Sequence, residues 1–95
     1  MDTKIHPTEI EGCEGTLEQL AARIHSLRYD KLPEFYAAAA AELDRQAVAD
    51  EARGRPHLAR LLREAATLTL LQEQKFREIF LWCRPYMQHE ISGKK

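Results

Sequence analysis

Five side chains near the middle of the chain have the chemistry to bind an anion. They cluster where Pro56 is expected to begin a helix, and the free N–H groups of a helix N-terminus attract anions. Guanidinium groups add forked donors that suit phosphate or carboxylate. A solvated turn with surface ion pairs is the commoner explanation, because Arg60 is spaced to pair with Glu64. The members of this basic cluster are Arg53, Arg55, His57, Arg60 and Arg63.

The other residues that could carry chemistry do not form a catalytic pattern. The four histidines have no metal-ligand spacing to one another or to Cys13 and Cys83. Ser26 directly follows His25, and neighbouring residues on a helix do not face each other. The sequence contains no glycine-rich phosphate loop and no nucleophile elbow. We therefore expect a protein that is not an enzyme and has no metal and no cofactor.

The segment 76–87 carries large apolar side chains on almost every side of a helix. Such a helix has to be covered on more than one face. We expect these side chains to be the surface for self-association or for a partner protein, because aromatic anchors dominate interface energetics. Stacking on a flat apolar ligand between the helices of a dimer is the less common alternative. The predicted interface residues are Phe76, Ile79, Phe80, Trp82, Cys83 and Tyr86.

Composition favours one small soluble helical domain. Of 95 residues, 31% are charged and only eight are Gly or Pro, which is typical of a folded helical protein. No apolar run approaches the roughly 20 residues that span a bilayer, and no secretion signal opens the sequence. The two cysteines make neither a zinc pattern nor a disulfide framework. We expect a cytoplasmic protein with free thiols that does not bind membranes.

Charge is distributed unevenly along the chain. Residues 1–44 carry nine acidic and four basic side chains, whereas residues 45–95 carry six acidic and ten basic ones. An acidic half and a basic half can attract each other within a fold or across a subunit contact. Chance placement of charges on a highly charged surface explains the same distribution. The near-zero net charge and the lack of a base-reading helix argue against nucleic-acid binding.

Capping signals and prolines divide the chain into helices. Thr16 and Gln19 fit a capping box that opens the first helix. Pro33 suits the first turn of the second helix, and Gly54 suits the left-handed position that ends it. Pro85 stops the third helix. The predicted elements are an irregular lead at 1–15, helices at about 16–29, 33–53 and 56–83, a short turn or helix at 86–91 and a polar tail at 92–95, with 16–91 forming one domain.

The third helix has a heptad-like apolar seam and is the longest element. At ~42 Å it exceeds the second helix at ~30 Å and the first at ~20 Å, so its aromatic end projects beyond both antiparallel neighbours. Thr69 and Gln72 interrupt the seam, where a polar residue fixes the pairing register or lies at the solvent edge. The predicted seam comprises Leu58, Leu62, Ala65, Thr69, Gln72, Phe76, Ile79, Cys83 and Tyr86.

The sequence thus predicts an all-α, three-helix antiparallel hairpin or bundle that dimerises through the aromatic part of its third helix. There are two alternatives: the lead at 1–15 covers the aromatic part of the third helix, or a different protein does. The predicted function is that of a small non-catalytic cytoplasmic interaction or regulatory protein. The second hypothesis is a ligand-responsive helical domain that binds a phosphate-type anion at the basic start of the third helix.

Overall fold

The computed structural model describes residues 6–87. All regular structure in this part of the chain is helical, which confirms the all-α class. The elements are α1 at Leu17–Ile24, α2 at Leu32–Ala52, α3 at Pro56–Cys83 and a 3-10 helix at Arg84–Met87. The predicted tail at 92–95 and most of the element predicted at 86–91 lie outside the described residues.

Helices α2 and α3 pack against each other as an antiparallel hairpin joined by residues 53–55. Gly54 adopts φ +81°, the left-handed conformation expected after the end of α2. The carbonyl of Asp50 accepts the N–H groups of Arg53 at 3.1 Å and Arg55 at 2.9 Å. The Asp50 side chain is also buried, and its Oδ1 lies 3.4 Å from Nη1 of Arg55. Asp50 therefore holds the turn through both its backbone and its carboxylate.

The two helices meet along heptad-spaced rows of mostly small residues. Each row includes two buried alanines, and their small size lets the helix axes approach closely. The rows are Pro33, Tyr36, Ala40, Leu43, Ala47 and Asp50 on α2, and Ala59, Leu62, Ala66, Thr69, Glu73, Phe76, Phe80 and Cys83 on α3, all buried or half-buried. We refer to this contact as the alanine seam.

The alanine seam corrects the seam predicted for the third helix. The predicted seam and the observed seam have every second residue in common, for example Leu62 and Thr69. Each of the remaining residues of the observed seam lies one position later in the sequence than predicted. The hairpin uses Ala59 because alanine permits a closer approach than the neighbouring Leu58 does, and Ala66 follows one heptad later on the same side of α3. The correction replaces Leu58, Ala65, Gln72 and Ile79 by Ala59, Ala66, Glu73 and Phe80.

Helix α1 begins with the predicted capping box. The Gln19 N–H donates to Oγ1 of Thr16 at 3.1 Å, and the Thr16 N–H donates to Oε1 of Gln19 at 2.9 Å. The helix ends at Ile24, five residues before the predicted end at 29. The correction has a local cause: side chains of the next two residues, His25 and Ser26, bond to carbonyls of the last turn and compete with further helical bonds.

Helix α1 does not pack along the hairpin, which departs from the predicted three-helix packing. None of its residues is buried, and Leu17 on its apolar stripe is 70% exposed. The molecule is accordingly elongated, with extents of 56 × 28 × 18 Å. Its radius of gyration is 16.9 Å, whereas a compact chain of this length has about 12 Å.

Candidate protein-interaction surface

A row of apolar side chains lies on α3 beside the alanine seam. Leu58, Leu61 and Leu68 are exposed, and the half-buried Ala65 lies between the last two. Because a spacing of three and four residues keeps side chains on one side of a helix, these residues form one continuous strip. The leucine strip, as we call it, consists of Leu58, Leu61, Ala65, Leu68, Gln72, Lys75, Ile79 and Trp82.

The strip lies on one defined side of the hairpin. An ion pair of 2.8 Å between Glu51 and Arg63 joins α2 and α3 along the opposite side. Arg63 follows Leu61 by two residues, a rotation of about 200° around α3, so the two side chains point in nearly opposite directions. A groove adjoins the start of the strip. It is lined by His6 of the N-terminal segment, by residues of α2 and the turn that include Gln46, Ala49 and Arg53, and by Leu58 and Leu62 of α3.

A cluster of rings closes the open end of the hairpin. The ring of Tyr36 on α2 stacks on that of Phe76 on α3, with centroids 5.1 Å apart, and Phe35 packs edge-on against Tyr36 at 5.0 Å. His25, the C-cap of α1, places Nε2 2.5 Å from the Tyr36 hydroxyl and Nδ1 2.9 Å from the carbonyl of Ala21. A neutral His25 satisfies both when Nδ1–H donates to the carbonyl and Nε2 accepts from Tyr36. This cluster fastens the end of α1 to the hairpin.

The sequence analysis did not find the role of His25 and Tyr36. Helical periodicity places residues on the faces of one helix, whereas this contact joins α1 to α2 and depends on the shape of the connection between them. A usable signal was present, because an aromatic pair followed the proline expected in the first turn of α2.

The structure divides the predicted interface residues between two environments. Four of them are half-buried, and three of these, Phe76, Phe80 and Cys83, belong to the alanine seam. The guanidinium carbon of Arg84 lies 5.9 Å from the centroid of the Phe80 ring. Trp82 is 79% exposed and is the last member of the leucine strip. The half-buried four are Phe76, Ile79, Phe80 and Cys83, while Tyr86 lies in the 3-10 helix and its side chain is outside the described structure.

The predicted anion-binding residues are engaged in ion pairs. Arg60 donates to Glu64 at 2.7 Å and to Nδ1 of His57 at 2.9 Å. Arg63 pairs with Glu51, as described above, and Asp50 lies between the remaining two arginines, with Oδ1 3.6 Å from Nη1 of Arg53. The four arginines thus face three different carboxylates instead of converging on one centre. This arrangement favours the charged-surface interpretation of the basic cluster.

Two other ion pairs on the exposed surface shift the pKa values of their members. Arg45 and, to a smaller extent, Gln46 donate hydrogen bonds to the Glu42 carboxylate and lower its pKa to about 2. Lys75 donates to Glu78 at 2.9 Å, which raises the pKa of Lys75 and lowers that of Glu78. Both pairs keep their charges over a wide pH range.

Further chemistry is scarce in the described residues. Within 6–87, no three His, Cys, Asp or Glu side chains are grouped closely enough to hold a metal ion. None of the helices described combines the length and the apolar character needed to cross a bilayer. Cys13 is exposed and Cys83 is half-buried, and both are free thiols. No protein-family model, curated protein or solved structure matches this chain.

Proposed function

We propose that this chain is a small non-catalytic interaction protein that works as a self-associated helical hairpin. The surface of association is the leucine strip of α3. The observation that carries the proposal is the exposure of Leu58, Leu61, Leu68 and Trp82 on one side of α3, next to a seam whose buried positions are mostly alanine. Exposed apolar rows of this kind are typical of protein-binding surfaces.

The composition of the core supports association. Among the described residues, Leu32 is the one large side chain that is fully buried, and the buried apolar residues of the alanine seam are Pro33 and four alanines. Stabilisation by burial is roughly proportional to the apolar area removed from water, about 25 cal/mol per Å², so alanines contribute little. A second copy that covers the leucine strip adds the larger leucine and tryptophan side chains to the buried area.

The total surface supports the same conclusion. The chain exposes 7688 Å², whereas a compact monomer of 11.0 kDa exposes about 5,600 Å². The elongated shape of the molecule raises its exposed surface, and apolar side chains of α1 and α3 such as Leu17 and Leu68 are part of that surface. A stable two-chain contact needs about 800 Å² from each partner, so the excess is large enough to supply one.

A matched pair of leucines tests the proposal. Leu61 on the strip and Leu70 on another side of α3 are 43% and 42% exposed, so they differ in position and hardly in burial. We expect light scattering on a sizing column to give twice the 11.0 kDa chain mass for the unaltered protein. Leu61→Glu is expected to give the monomer mass, and Leu70→Glu the dimer mass, with circular dichroism confirming helix in both.

Two outcomes would contradict the proposal. One is a monomeric unaltered protein at the highest concentration that stays in solution. The other is equal loss of the dimer in Leu61→Glu and Leu70→Glu, because that result would place the contact elsewhere or show general destabilisation.

The aromatic end of α3 forms part of the same proposal through Trp82. Truncation of a buried aromatic anchor costs about 2 kcal/mol or more, so Trp82→Ala is expected to weaken the dimer at least ~30-fold. Leu81→Ala is the control, because Leu81 is also exposed but lies about 100° from the strip around α3. Sedimentation equilibrium measures both dissociation constants, and an equal effect of the two variants would remove Trp82 from the interface.

A further inference from the structure

The leucine strip is apolar at both ends, with Leu58 and Leu61 at one end and Ile79 and Trp82 at the other. Its two polar members, Gln72 and Lys75, lie between these ends together with Ala65 and Leu68. We propose that two copies pair α3 against α3 in antiparallel orientation, with the two-fold axis near the middle of the strip. This inference rests on the proposed self-association and adds its partner, orientation and register.

The register follows from the spacing of the strip. The strip runs from residue 58 to residue 82. When two copies pair in antiparallel orientation about the midpoint of the strip, two residues lie opposite each other if their numbers add up to about 140. Leu58 then lies opposite the partner's Trp82, and Leu61 lies opposite the partner's Ile79. Both apolar ends are covered at once, and each contact occurs twice, as a two-fold axis requires.

Lys75 distinguishes this arrangement from the parallel one. In a parallel pair about a two-fold axis, Lys75 would lie against its own copy, and like charges placed directly opposite are destabilising. In the antiparallel pair it lies opposite the partner's Ala65, whose small side chain leaves room for the aliphatic stem of the lysine. Within its own chain Lys75 pairs with Glu78 and Glu64 pairs with Arg60, and the antiparallel arrangement brings the Lys75 ammonium group near the partner's Glu64 as well. Separation of the two Lys75 side chains, together with this added opposite charge, favours the antiparallel orientation.

The position of the strip on the hairpin fits a bundle of four helices. The groove beside Leu58 brings Gln46 and Ala49 of α2 to the same side of the molecule as the strip. When the α3 helices of two copies pair, each α2 flanks the contact. Two hairpins then form a four-helix bundle in which the leucine strips make the second layer of core beside the two alanine seams.

Cysteine cross-linking tests the orientation directly. Cys13→Ser and Cys83→Ala remove the native thiols, and Leu58→Cys and Trp82→Cys are then made separately in that background. Oxidation of a mixture of the two variants is expected to give a disulfide-linked heterodimer, identified by its mass, while each variant alone stays mostly unlinked. Leu81→Cys replaces Trp82→Cys in the control mixture and is expected to remain unlinked, because position 81 is turned away from the strip.

The outcomes separate this inference from the proposed function. A cysteine-free background and an unaltered protein that are both monomeric by light scattering would overturn both. A dimer in which Leu58→Cys links to itself would overturn the antiparallel orientation and leave self-association standing. A dimer without any cross-link between positions 58 and 82 would do the same.

A charge exchange gives a second measurement with the native cysteines in place. Lys75→Glu and Glu64→Lys are each expected to weaken the dimer roughly 3- to 10-fold, and the double variant is expected to restore it. Residues 64 and 75 are ~16 Å apart along one helix, so they cannot pair within a chain. Restoration therefore reports a contact between copies, and a double variant weaker than either single variant would overturn the register.

Discussion

The ring of Tyr36 lies 5.1 Å from that of Phe76, and their planes are within 5° of parallel. Tyr36 belongs to the second turn of α2 and Phe76 to the last third of α3, so the stack closes the hairpin at the end opposite Gly54. Because the Tyr36 hydroxyl also bonds to His25, the same residue connects the hairpin to α1.

We expect the stack to contribute measurably to folding. Aromatic pairs contribute about 0.5–1.5 kcal/mol beyond their buried area. Tyr36→Ala, Phe76→Ala and the double variant form a mutant cycle in which urea unfolding should give a coupling free energy of about 1 kcal/mol. Tyr36→Phe serves as the control, since it keeps the stack and removes the bond to His25. A coupling free energy near zero would show that the two rings are merely neighbours.

Enlarging the alanine seam should destabilise the hairpin. Ala66→Leu adds three carbon atoms at a fully buried position, and overpacking of this kind costs about 1–3 kcal/mol. Ala38→Leu makes the same change at an exposed position of α2 and should shift the free energy of unfolding by less than ~0.5 kcal/mol. Chemical denaturation measures both variants, and equal stability of the two would mean that the seam is loosely packed.

The turn should depend on the carboxylate of Asp50. Asp50→Ala leaves the backbone carbonyl bonds in place but removes a buried partner of Arg53 and Arg55, which should cost about 1–3 kcal/mol. Asp44→Ala is the exposed control on the same helix. Thermal unfolding followed by circular dichroism compares the two variants, and a melting temperature unchanged in Asp50→Ala would contradict the assigned role.

Glu42 should titrate well below an ordinary glutamate. Its pKa is lowered from 4.5 to about 2, chiefly because Arg45 donates hydrogen bonds to the carboxylate. A folded-state pKa below the unfolded value means that the pair's contribution to stability is present above about pH 4.5 and is lost as the pH falls towards 2. NMR titration of the side-chain carboxyl carbon checks the value. Arg45→Ala should return the midpoint towards 4.5, and an unchanged midpoint would exclude Arg45 as the cause.

The hairpin could be predicted from the sequence because its signals are local. Pro33, Gly54 and Pro56 mark the ends of α2 and α3, and each acts through its own backbone geometry. The capping box at Thr16 likewise depends on residues within one turn. Such features need no knowledge of what packs against the helix.

The alanine seam could not be predicted in the same way. Leu58 and Ala59 both fit an apolar heptad pattern, and hydrophobicity favours the leucine. In the structure the alanine lies at the helix contact, because two helix axes approach most closely where both helices present small side chains. The choice between Leu58 and Ala59 is thus a property of the pair α2–α3, and Leu58, which lies outside the seam, became part of the candidate interaction surface.

The role of Asp50 was hidden for a similar reason. A carboxylate near a predicted turn is typical of a solvated surface charge, so the sequence carries no signal that position 50 is buried. Its burial depends on the hairpin being tight enough to enclose position 50 while two arginines, Arg53 and Arg55, stay within reach.

The three-residue connection at 53–55 also bears on the order of folding. Closing a very short loop costs little chain entropy, so the first contacts between α2 and α3 are expected next to Gly54. The seam can then grow residue by residue towards the stacked rings, as expected for a fold dominated by local contacts, which forms in microseconds to milliseconds. We therefore expect hairpin closure to be fast and independent of protein concentration, and any slower, concentration-dependent phase to report the meeting of two chains.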